Sequence, residues 1–347
     1  CMLPEALFVS NKANIRYFSS FTGTKGYLVI LKKKKFLFID ARYHLVAQNQ
    51  CQKSITIVDT TKGFEKAWKL FLREHKIKKL GFEGAHLSYK MWHRLQKISH
   101  GTRLVDIGDK LNGKRMIKSE IELRSLYMSQ KINEEVFAKI KRWLRPGLTE
   151  KQIGWKIEKL AHLLGADGVS FKPIVAINEN SASPHHENTD RRLKRGDMIL
   201  VDMGVIYDGY CSDMTRIIFT ANPTAEQKKI YELVLRAQET VTKKLRAGIK
   251  GSVADNIARS LFKRYGLDKQ FSHALGHGVG LDIHELPNLS QAYSGTLKAG
   301  CVVTVEPGIY LPGKFGIRIE DMVLIKKKGI FNLTKAGKKL KSCIIRI

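Results

Sequence analysis

Acidic side chains interrupt a stretch of the chain that otherwise reads as a buried strand. The segment LVDMGVIYDGYCSDMT (residues 200–215) is largely apolar, yet it contains Asp202 and Asp213. Residues 207–210, YDGY, predict a hairpin turn that places the two carboxylates nearly opposite each other. Two ionised carboxylates in an apolar sheet repel each other and lose hydration, at a cost of several kcal/mol, so a compensating cation is expected.

An internal repeat relates two parts of the chain. LRPGLTEKQIGWKIEKLAHLLG (144–165) aligns with LRAGIKGSVADNIARSLFKRYG (245–266) at a shift of 101 residues. RGDMILVDMG (195–204) aligns with AGCVVTVEPG (299–308) at a shift of 104 residues. The similarity is weak at each position, but an acid, its spacing and a flanking glycine recur together, which argues against chance.

The repeat supplies two further carboxylates. Glu306 falls on Asp202, and a second acidic strand follows in each half, with Asp213 in the first and Glu320 in the second. Hard oxygen ligands suit divalent metals, and four carboxylates can hold two ions if two of them bridge. Two such ions share a water, lower its pKa and stabilise the oxyanion of a tetrahedral intermediate. A single strand Asp is as often a turn residue or a satisfied hydrogen-bond partner, but four in a repeated pattern favour the metal.

Histidines lie in two nearby stretches, HALGHGVGLDIHELP (273–287) and SASPHHENTD (181–190). The first holds His273, His277 and His284, and the second holds His185 and His186. GHGVG lacks the spacing and context of a dinucleotide-binding loop, and HELP is not the HExxH zinc motif. The glycines around His277 predict a close approach of backbone and substrate.

Composition predicts a two-domain protein of the cytoplasm. The chain has 347 residues, and no run approaches the roughly 18 apolar residues of a membrane span. Residues 1–18 lack the pattern of a secretory signal. The five cysteines are scattered and form no CxxC pair, which suits a reducing compartment, and Cys211 and Cys301 are expected to be core residues.

The formal net charge of +29 has two interpretations. It is typical of nucleic-acid or anionic-surface binding, and it also arises when lysine simply fills surface positions. The lysines are dispersed, and the runs at residues 32–35 and 326–328 lie between apolar strands, where hairpin tips belong. We favour the second interpretation, so neither nucleic acid nor a membrane is an expected partner.

Strands alternate with helices in the first part of the chain, which predicts an α/β domain. GYLVIL and KFLFID predict a hairpin, and the later elements are a helix from Arg42, strand SITIVD, helix FEKAWKLFLREH, strand KKLGFE, helix SYKMWHRLQKI and strand TRLVD. This domain is assigned to residues 1–112, a polar linker to 113–118 and a second domain to 119–347.

Capping boxes mark the helices of the second domain. The predicted pairs are Ser119 with Glu122, Thr149 with Gln152, and Thr224 with Gln227. A fourth helix is expected around Val253, Ile257 and Leu261, ending at Gly266.

Several motifs together resemble a known family. PHH, VDMG, SDMTR, GHGVGLDIHE, VEPGIY and GIRIED, in this order, resemble the metallopeptidases of the pita-bread fold, and more narrowly the Xaa-Pro group, aminopeptidase P and prolidase. NIRYFSSFTGTKGYLVI and LFIDARY resemble their creatinase-like N-terminal domain. The resemblance covers essentially the whole chain and implies an α+β fold, in which a duplicated pita-bread catalytic domain follows an α/β creatinase-like domain.

The resemblance implies a ligand set for two divalent ions. The ligands would be Asp202, Asp213, His277, Glu306 and Glu320. Asp213 and Glu320 would bridge the ions, Asp202 would complete one, and His277 and Glu306 would complete the other. One histidine among carboxylates fits manganese, with cobalt and zinc as the family's alternatives.

Four residues are implied to act in catalysis. His185 and His284 would donate hydrogen bonds to the substrate carbonyl or the developing oxyanion. Glu306 would take a proton from the metal-bridging water. Arg318 would hold a ligand carboxylate or contact substrate, or else form only a salt bridge. The role of His186 is open, and His273 is expected to lie just behind the ligands.

The implied activity is hydrolysis of the bond between an N-terminal residue and proline. Prolidases take dipeptides and aminopeptidases P take longer peptides, and the sequence leaves this choice open. Family members of this length are usually homodimers, so a dimer is expected. Two alternatives remain: a non-catalytic binding protein of the same fold, for protein or nucleic acid, and a same-fold aminopeptidase without proline preference. The intact ligand set disfavours the first.

Overall fold

The computed structural model describes residues 4–347, and the chain divides into two compact units after Lys114. The linker bounds of residues 113–118 stay a prediction. A short helix, α5 (Asn112–Arg115), covers that point of the chain. Among the described helices, none combines the length and the apolar composition that a membrane crossing requires. Cys1, one of the five cysteines, lies outside the described residues.

The first unit is a six-stranded mixed sheet with helices, in the strand order β4-β3-β2-β1-β5-β6. Its strands are β1 (Ala6–Val9), β2 (Tyr27–Leu31), β3 (Lys34–Ile39), β4 (Ile55–Asp59), β5 (Lys79–Phe82) and β6 (Arg103–Asp106). Its helices are α1 (Lys12–Ser19), α2 (His44–Gln50), α3 (Phe64–His75) and α4 (Tyr89–Ile98), with 3-10 turns at Ala41–Tyr43 and Gly108–Lys110.

The predicted elements of this unit are confirmed from Gly26 onward. β2 and β3 pair as an antiparallel hairpin whose turn includes Lys32 at φ 53°, so the lysine run does lie at a hairpin tip. The sheet buries Phe8 and Phe38 against Trp68 of α3, whose ring is fully buried. β1 and α1 were not predicted from the sequence, and α1 begins at an Asn11 cap without the capping-box pattern.

The second unit contains two successive long helix pairs. The helices are α6 (Glu120–Trp143), α7 (Glu150–Leu163), α8 (Ala225–Lys244), α9 (Gly251–Lys263) and α10 (Leu340–Cys343). All three predicted capping boxes are formed. The apolar face of α9 differs from the prediction, because Val253 is 49% exposed while Ala254, Ala258 and Phe262 are buried.

Short antiparallel sheets carry the acidic segments. The strands are β7 (Gly168–Val169), β8 (Ile174–Ile177), β9 (Met198–Met203), β10 (Val205–Tyr207), β11 (Tyr210–Cys211), β12 (Met214–Phe219), β13 (Gly276–Gly278), β14 (Glu285–Leu289), β15 (Val302–Val305), β16 (Gly308–Leu311), β17 (Phe315–Arg318), β18 (Asp321–Ile325) and β19 (Ile330–Asn332). A 3-10 turn spans Asn178–Ala182. The sheets run β11-β10-β7, β12-β9-β8, β14-β13-β15-β18-β19 and β16-β17. Cys211 and Cys301 are buried, as expected.

Backbone contacts support the duplication. The Gly147 amide donates to the Leu193 carbonyl at 2.8 Å, and the Gly248 amide donates to the Leu297 carbonyl at 2.9 Å. Gly147 and Gly248 are 101 residues apart, and Leu193 and Leu297 are 104 residues apart, which are the two shifts found in the sequence. Gly147 and Gly248 also share a left-handed conformation, with φ of 90° and 91°. Each repeat therefore joins a helix pair to an acidic hairpin through the same turn geometry.

Candidate active site

The first acidic hairpin forms because its turn suits the twist of the strands. Asp208 and Gly209 have φ of 48° and 72°, the left-handed pair of a two-residue hairpin loop. The register pairs Asp202 directly with Thr215. Asp213 lies two residues before Thr215, on the same side of the ribbon by alternation, so the two acids are diagonal neighbours rather than an opposed pair.

A close backbone approach shapes the end of this hairpin. A Cβ on Gly204 would lie 2.0 Å from the Ser212 carbonyl oxygen, so only glycine fits there. The Val205 amide donates to the Ser212 hydroxyl at 3.0 Å, which holds the two strands together next to Gly204. The ribbon therefore turns sharply between Asp202 and Asp213.

The second hairpin places its acids just beyond paired strands. β15 and β18 pair through Val305 and Asp321, so Glu306 and Glu320 lie next to the last pair. The Thr304 hydroxyl accepts from the His277 amide at 3.1 Å and donates to Glu306 Oε1 at 3.1 Å. One threonine thus links the histidine strand to the acid of its neighbour.

Ligand-type atoms from both hairpins converge. One ligand atom each of Asp213, His277 and Glu320 lies within 4.8 Å of the other two. His277 Nε2 is 3.5 Å from Asp213 Oδ2 and 3.4 Å from Glu306 Oε1. His277 Nδ1 is 3.1 Å from the Gly278 carbonyl oxygen, which accepts a hydrogen bond. The proton therefore sits on Nδ1, and the lone pair of Nε2 faces the carboxylates.

Arg318 binds the fourth acid. Its Nη2 donates to Asp202 Oδ2 at 2.6 Å, its Nε donates to the Thr215 hydroxyl at 3.0 Å, and its Nη1 donates to the Tyr310 hydroxyl at 2.6 Å. The Tyr310 hydroxyl in turn donates to Nε2 of His273 at 2.8 Å, since Nδ1 of that ring donates to a backbone carbonyl. Arg318 is 3% exposed, so this is a buried and rigid fork.

The carboxyl groups raise one another's pKa. Burial, followed by the charges of Glu320 and Asp202, raises the pKa of Asp213 well above its usual range. Burial and the charges of Glu306 and Asp202 do the same to Glu320. Burial raises the pKa of Glu306 to about 8, although Arg318 opposes the shift. The protein alone thus holds more negative charge here than its cations balance.

This donor set fits divalent metal ions. Asp202 Oδ1 and Glu320 Oε1 are buried and have no hydrogen-bond partner among the described residues. Burial and the neighbouring His284 ring lower the pKa of His277 to about 4, so the imidazole is neutral, as a ligand must be. Carboxylates that repel one another, orphaned buried oxygens and a neutral imidazole are what hard cations require.

Nδ1 of His273 lies 4.0 Å from Glu306 Oε2. His284 lies beside the predicted ligand His277. Its ring packs edge-on against His277, with centroids 4.3 Å apart. His185 is exposed. Burial, followed by the neighbouring His185, lowers the pKa of His284, and burial, followed by the charge of Arg318, lowers the pKa of His273. His186 is bound elsewhere, because its Nε2 is 2.8 Å from Oε2 of the buried Glu150.

Sequence reasoning missed several polar residues that support the site. Thr215 donates to Glu320 Oε2 at 2.7 Å and accepts from Arg318. Thr304 and Tyr310 act as described above. Thr215 and Tyr310 follow a motif acid by two and four residues, and Thr304 precedes Glu306 by two. Nothing in these residue types marks them, and only the fold reveals which acid each one meets.

Comparison with known proteins identifies the class. Residues 125–327 match the family described as Metallopeptidase family M24, and residues 5–117 match the Creatinase/Prolidase N-terminal domain. A protein of Pyrococcus horikoshii named Xaa-Pro dipeptidase is 33% identical over 97% of this chain and 94% of its own length.

Solved structures agree along nearly the whole chain. An X-Pro aminopeptidase from Thermotoga maritima is 34% identical, covers 99% of this chain and 98% of its own, and has a TM-score of 0.90. An Xaa-Pro dipeptidase from Bacillus anthracis is 33% identical, covers 98% of this chain and 95% of its own, and has a TM-score of 0.94. The chain belongs to metallopeptidase family M24, with a creatinase-type N-terminal domain and a pita-bread domain, as the motifs predicted.

Proposed function

We propose that this chain is a dinuclear metal-dependent exopeptidase that hydrolyses the bond between an N-terminal residue and proline, with residues 119–347 as its catalytic domain. The observation that carries the proposal is the convergence of Asp213, His277 and Glu320, with Asp202 and Glu306 beside them. Similar proteins named Xaa-Pro dipeptidase and X-Pro aminopeptidase support the substrate class.

Asp202, Asp213, His277, Glu306 and Glu320 would hold two divalent ions. When bound, these ions would supply an activated water and polarise the substrate carbonyl. We propose manganese, with cobalt or zinc as alternatives, because oxygen ligands dominate the set and it contains no sulfur.

The chain's own groups would handle protons and orientation. Glu306 would accept the proton of the attacking water on its carboxylate, which lies against His277 Nε2. Arg318 would hold the Asp202 carboxylate in a fixed position through their 2.6 Å contact. His284 and His185 would donate hydrogen bonds to the substrate carbonyl as it gains negative charge.

Proline defines the substrate because its peptide bond is a tertiary amide with no N–H and a cis/trans equilibrium of its own. The test is hydrolysis of Ala-Pro, Ala-Pro-Ala and Ala-Ala by metal-stripped protein with Mn²⁺ added back. Cleavage of Ala-Pro alone defines a dipeptidase, and cleavage of Ala-Pro-Ala defines an aminopeptidase. Cleavage of Ala-Ala at an equal rate would instead support a same-fold aminopeptidase without proline preference.

Hydrolysis of none of the three by metal-loaded protein would overturn the proposal and support a non-catalytic binding protein. That alternative predicts salt-sensitive binding of nucleic acid, which the charge of +29 makes testable by titration at two ionic strengths. We also propose a homodimer located in the cytoplasm. Light scattering on the purified chain tests the dimer, and fractionation of cells tests the location.

A further inference from the structure

Four charged residues form a cluster apart from the ligand set, which we call the ionic clamp: Arg115, Lys118, Asp282 and Glu285. Lys118 Nζ donates to Glu285 Oε1 at 2.7 Å, and Arg115 Nη1 lies 3.3 Å from Glu285 Oε2. Arg115 Nη2 donates to Asp282 Oδ2 at 2.8 Å. The side chains of Arg115, Lys118 and Glu285 are at most 3% exposed. Lys118 is hydrogen-bonded to the Glu285 carboxylate, and Arg115 forms a buried ion pair with its second oxygen without a hydrogen bond, so this is a buried pair of contacts rather than a surface pair.

The ionic clamp encloses the loop that carries His284. This loop, residues 279–284, runs from β13 to β14, and Glu285 directly follows His284. A Cβ on Gly280 would lie 2.3 Å from Glu285 Oε1, so the start of the loop folds closely against that carboxylate. Asp282 holds the middle of the loop and Glu285 holds its end. Arg115 and Lys118 therefore fix the loop backbone from both sides of His284.

His284 needs such support because its ring is weakly anchored. Among residues 4–347, the ring packs edge-on against His277 and interacts electrostatically with His185 and Asp202, but no hydrogen bond to it is seen. A side chain without a hydrogen-bond anchor can keep a productive position only if its backbone is fixed.

We propose that Glu285, held by Arg115 and Lys118, positions His284 for hydrolysis. The kinetic part of this inference rests on the proposed function, in which His284 donates to the substrate carbonyl. It also assigns a task to residues 115–118, which the sequence marks only as a polar linker.

The kinetic test combines Lys118→Met with His284→Ala in a double-mutant cycle on Mn²⁺-loaded protein, using whichever proline peptide the wild type cleaves. Lys118→Met leaves the Arg115–Glu285 pair in place. It is expected to lower kcat about tenfold while KM stays within about twofold. The reason is that the hydrogen bond from His284 to the substrate carbonyl, which strengthens in the transition state, is misplaced. In the His284→Ala background, adding Lys118→Met should lower kcat by less than about twofold. An equal loss of kcat in both backgrounds would overturn the proposal.

Two further variants control for folding. Lys131→Met removes an exposed lysine of α6 and should leave kcat unchanged. Lys118→Arg keeps a cation on Glu285 and should recover most of the turnover. If Lys118→Met does not fold, Arg115→Lys replaces it in the same cycle with the same expectations. It keeps the charge but cannot contact Asp282 and Glu285 at the same time.

Hydrogen exchange tests the inference without any turnover. In the full chain, with and without Mn²⁺, Lys118→Met should speed amide exchange in residues 279–285 about tenfold and leave α8 unchanged. Unchanged exchange in that loop would overturn the positioning role even if kcat falls. If the wild type cleaves no proline peptide but Lys118→Met still exchanges faster than the wild type in residues 279–285, the ionic clamp is supported while the proposed function fails, so the two failures are distinguishable.

Discussion

Removal of metal should make the stability of this protein fall as pH rises from 6.5 to 8. The buried carboxyls have raised pKa values, so the metal-free folded state keeps protons that the unfolded chain has already released. Stability then decreases with pH until each folded pKa is passed. Below pH 6.5 a second effect opposes this trend. Folding keeps His273 and His277 neutral, with pKa values of about 3 and 4, whereas the unfolded chain protonates them. The protein therefore becomes less stable through these two residues as the pH falls.

The magnitude follows from Glu306. Its pKa moves from 4.5 to about 8, so the 1.5 pH units between 6.5 and 8 cost about 2 kcal/mol at 1.36 kcal/mol per unit. Asp213 and Glu320 shift in the same direction, so their contributions have the same sign. For a unit of this size, about 2 kcal/mol corresponds to a fall in Tm of about 4–8 °C.

Thermal unfolding of chelator-stripped protein between pH 6.5 and 8 measures this fall, with Mn²⁺-loaded protein as the matched control. The loaded protein should show a much smaller change, since bound cations keep the carboxyls ionised across the range. A stripped protein whose Tm is flat or rises between these pH values would refute the electrostatic account of the site.

Three substitutions test separate parts of the site. Asp213→Asn should abolish metal binding and turnover while raising the Tm of the stripped protein at pH 8, and unchanged turnover would contradict its bridging role. His284→Ala should retain the metal, counted by elemental analysis, but lower kcat about 100-fold, the scale of a lost oxyanion donor; full activity would assign it a structural role. Arg318→Lys should weaken metal binding about 10–100-fold in a calorimetric titration, because a lysine cannot hold Asp202, Thr215 and Tyr310 together; an unchanged affinity would show that the fork is dispensable.

The acidic hairpins could be predicted because their signals are local. The Asp208–Gly209 turn fixes a two-residue loop, and strand alternation then fixes which face Asp202 and Asp213 share. The repeat extended that reasoning to Glu306 and Glu320, since a duplicated unit places equivalent strands at equivalent positions. The expectation that Asp202 and Asp213 lie nearly opposite each other was off by two residues, because the turn pairs Tyr207 with Tyr210 and the same register places Asp202 opposite Thr215.

Long-range polar contacts could not be predicted in the same way. Lys118 and Glu285 are 167 residues apart, and no periodicity or spacing links them. The buried face of α9 was predicted one residue too early along the chain. Small residues line its buried side, and Ala254 and Ala258 give a weaker hydrophobic signal than the exposed Val253. Sequence patterns thus located the acids and the histidine that converge in the fold, while the polar residues that contact them appeared only in the structure.

Metal titration tests the central claim most directly. Chelator-stripped protein receives Mn²⁺ in steps while bound metal is counted and hydrolysis of Ala-Pro and Ala-Pro-Ala is followed. The account predicts no turnover without metal, recovery that saturates near two bound ions, and neither binding nor turnover in Asp213→Asn. Full turnover by the stripped protein in excess chelator would contradict it.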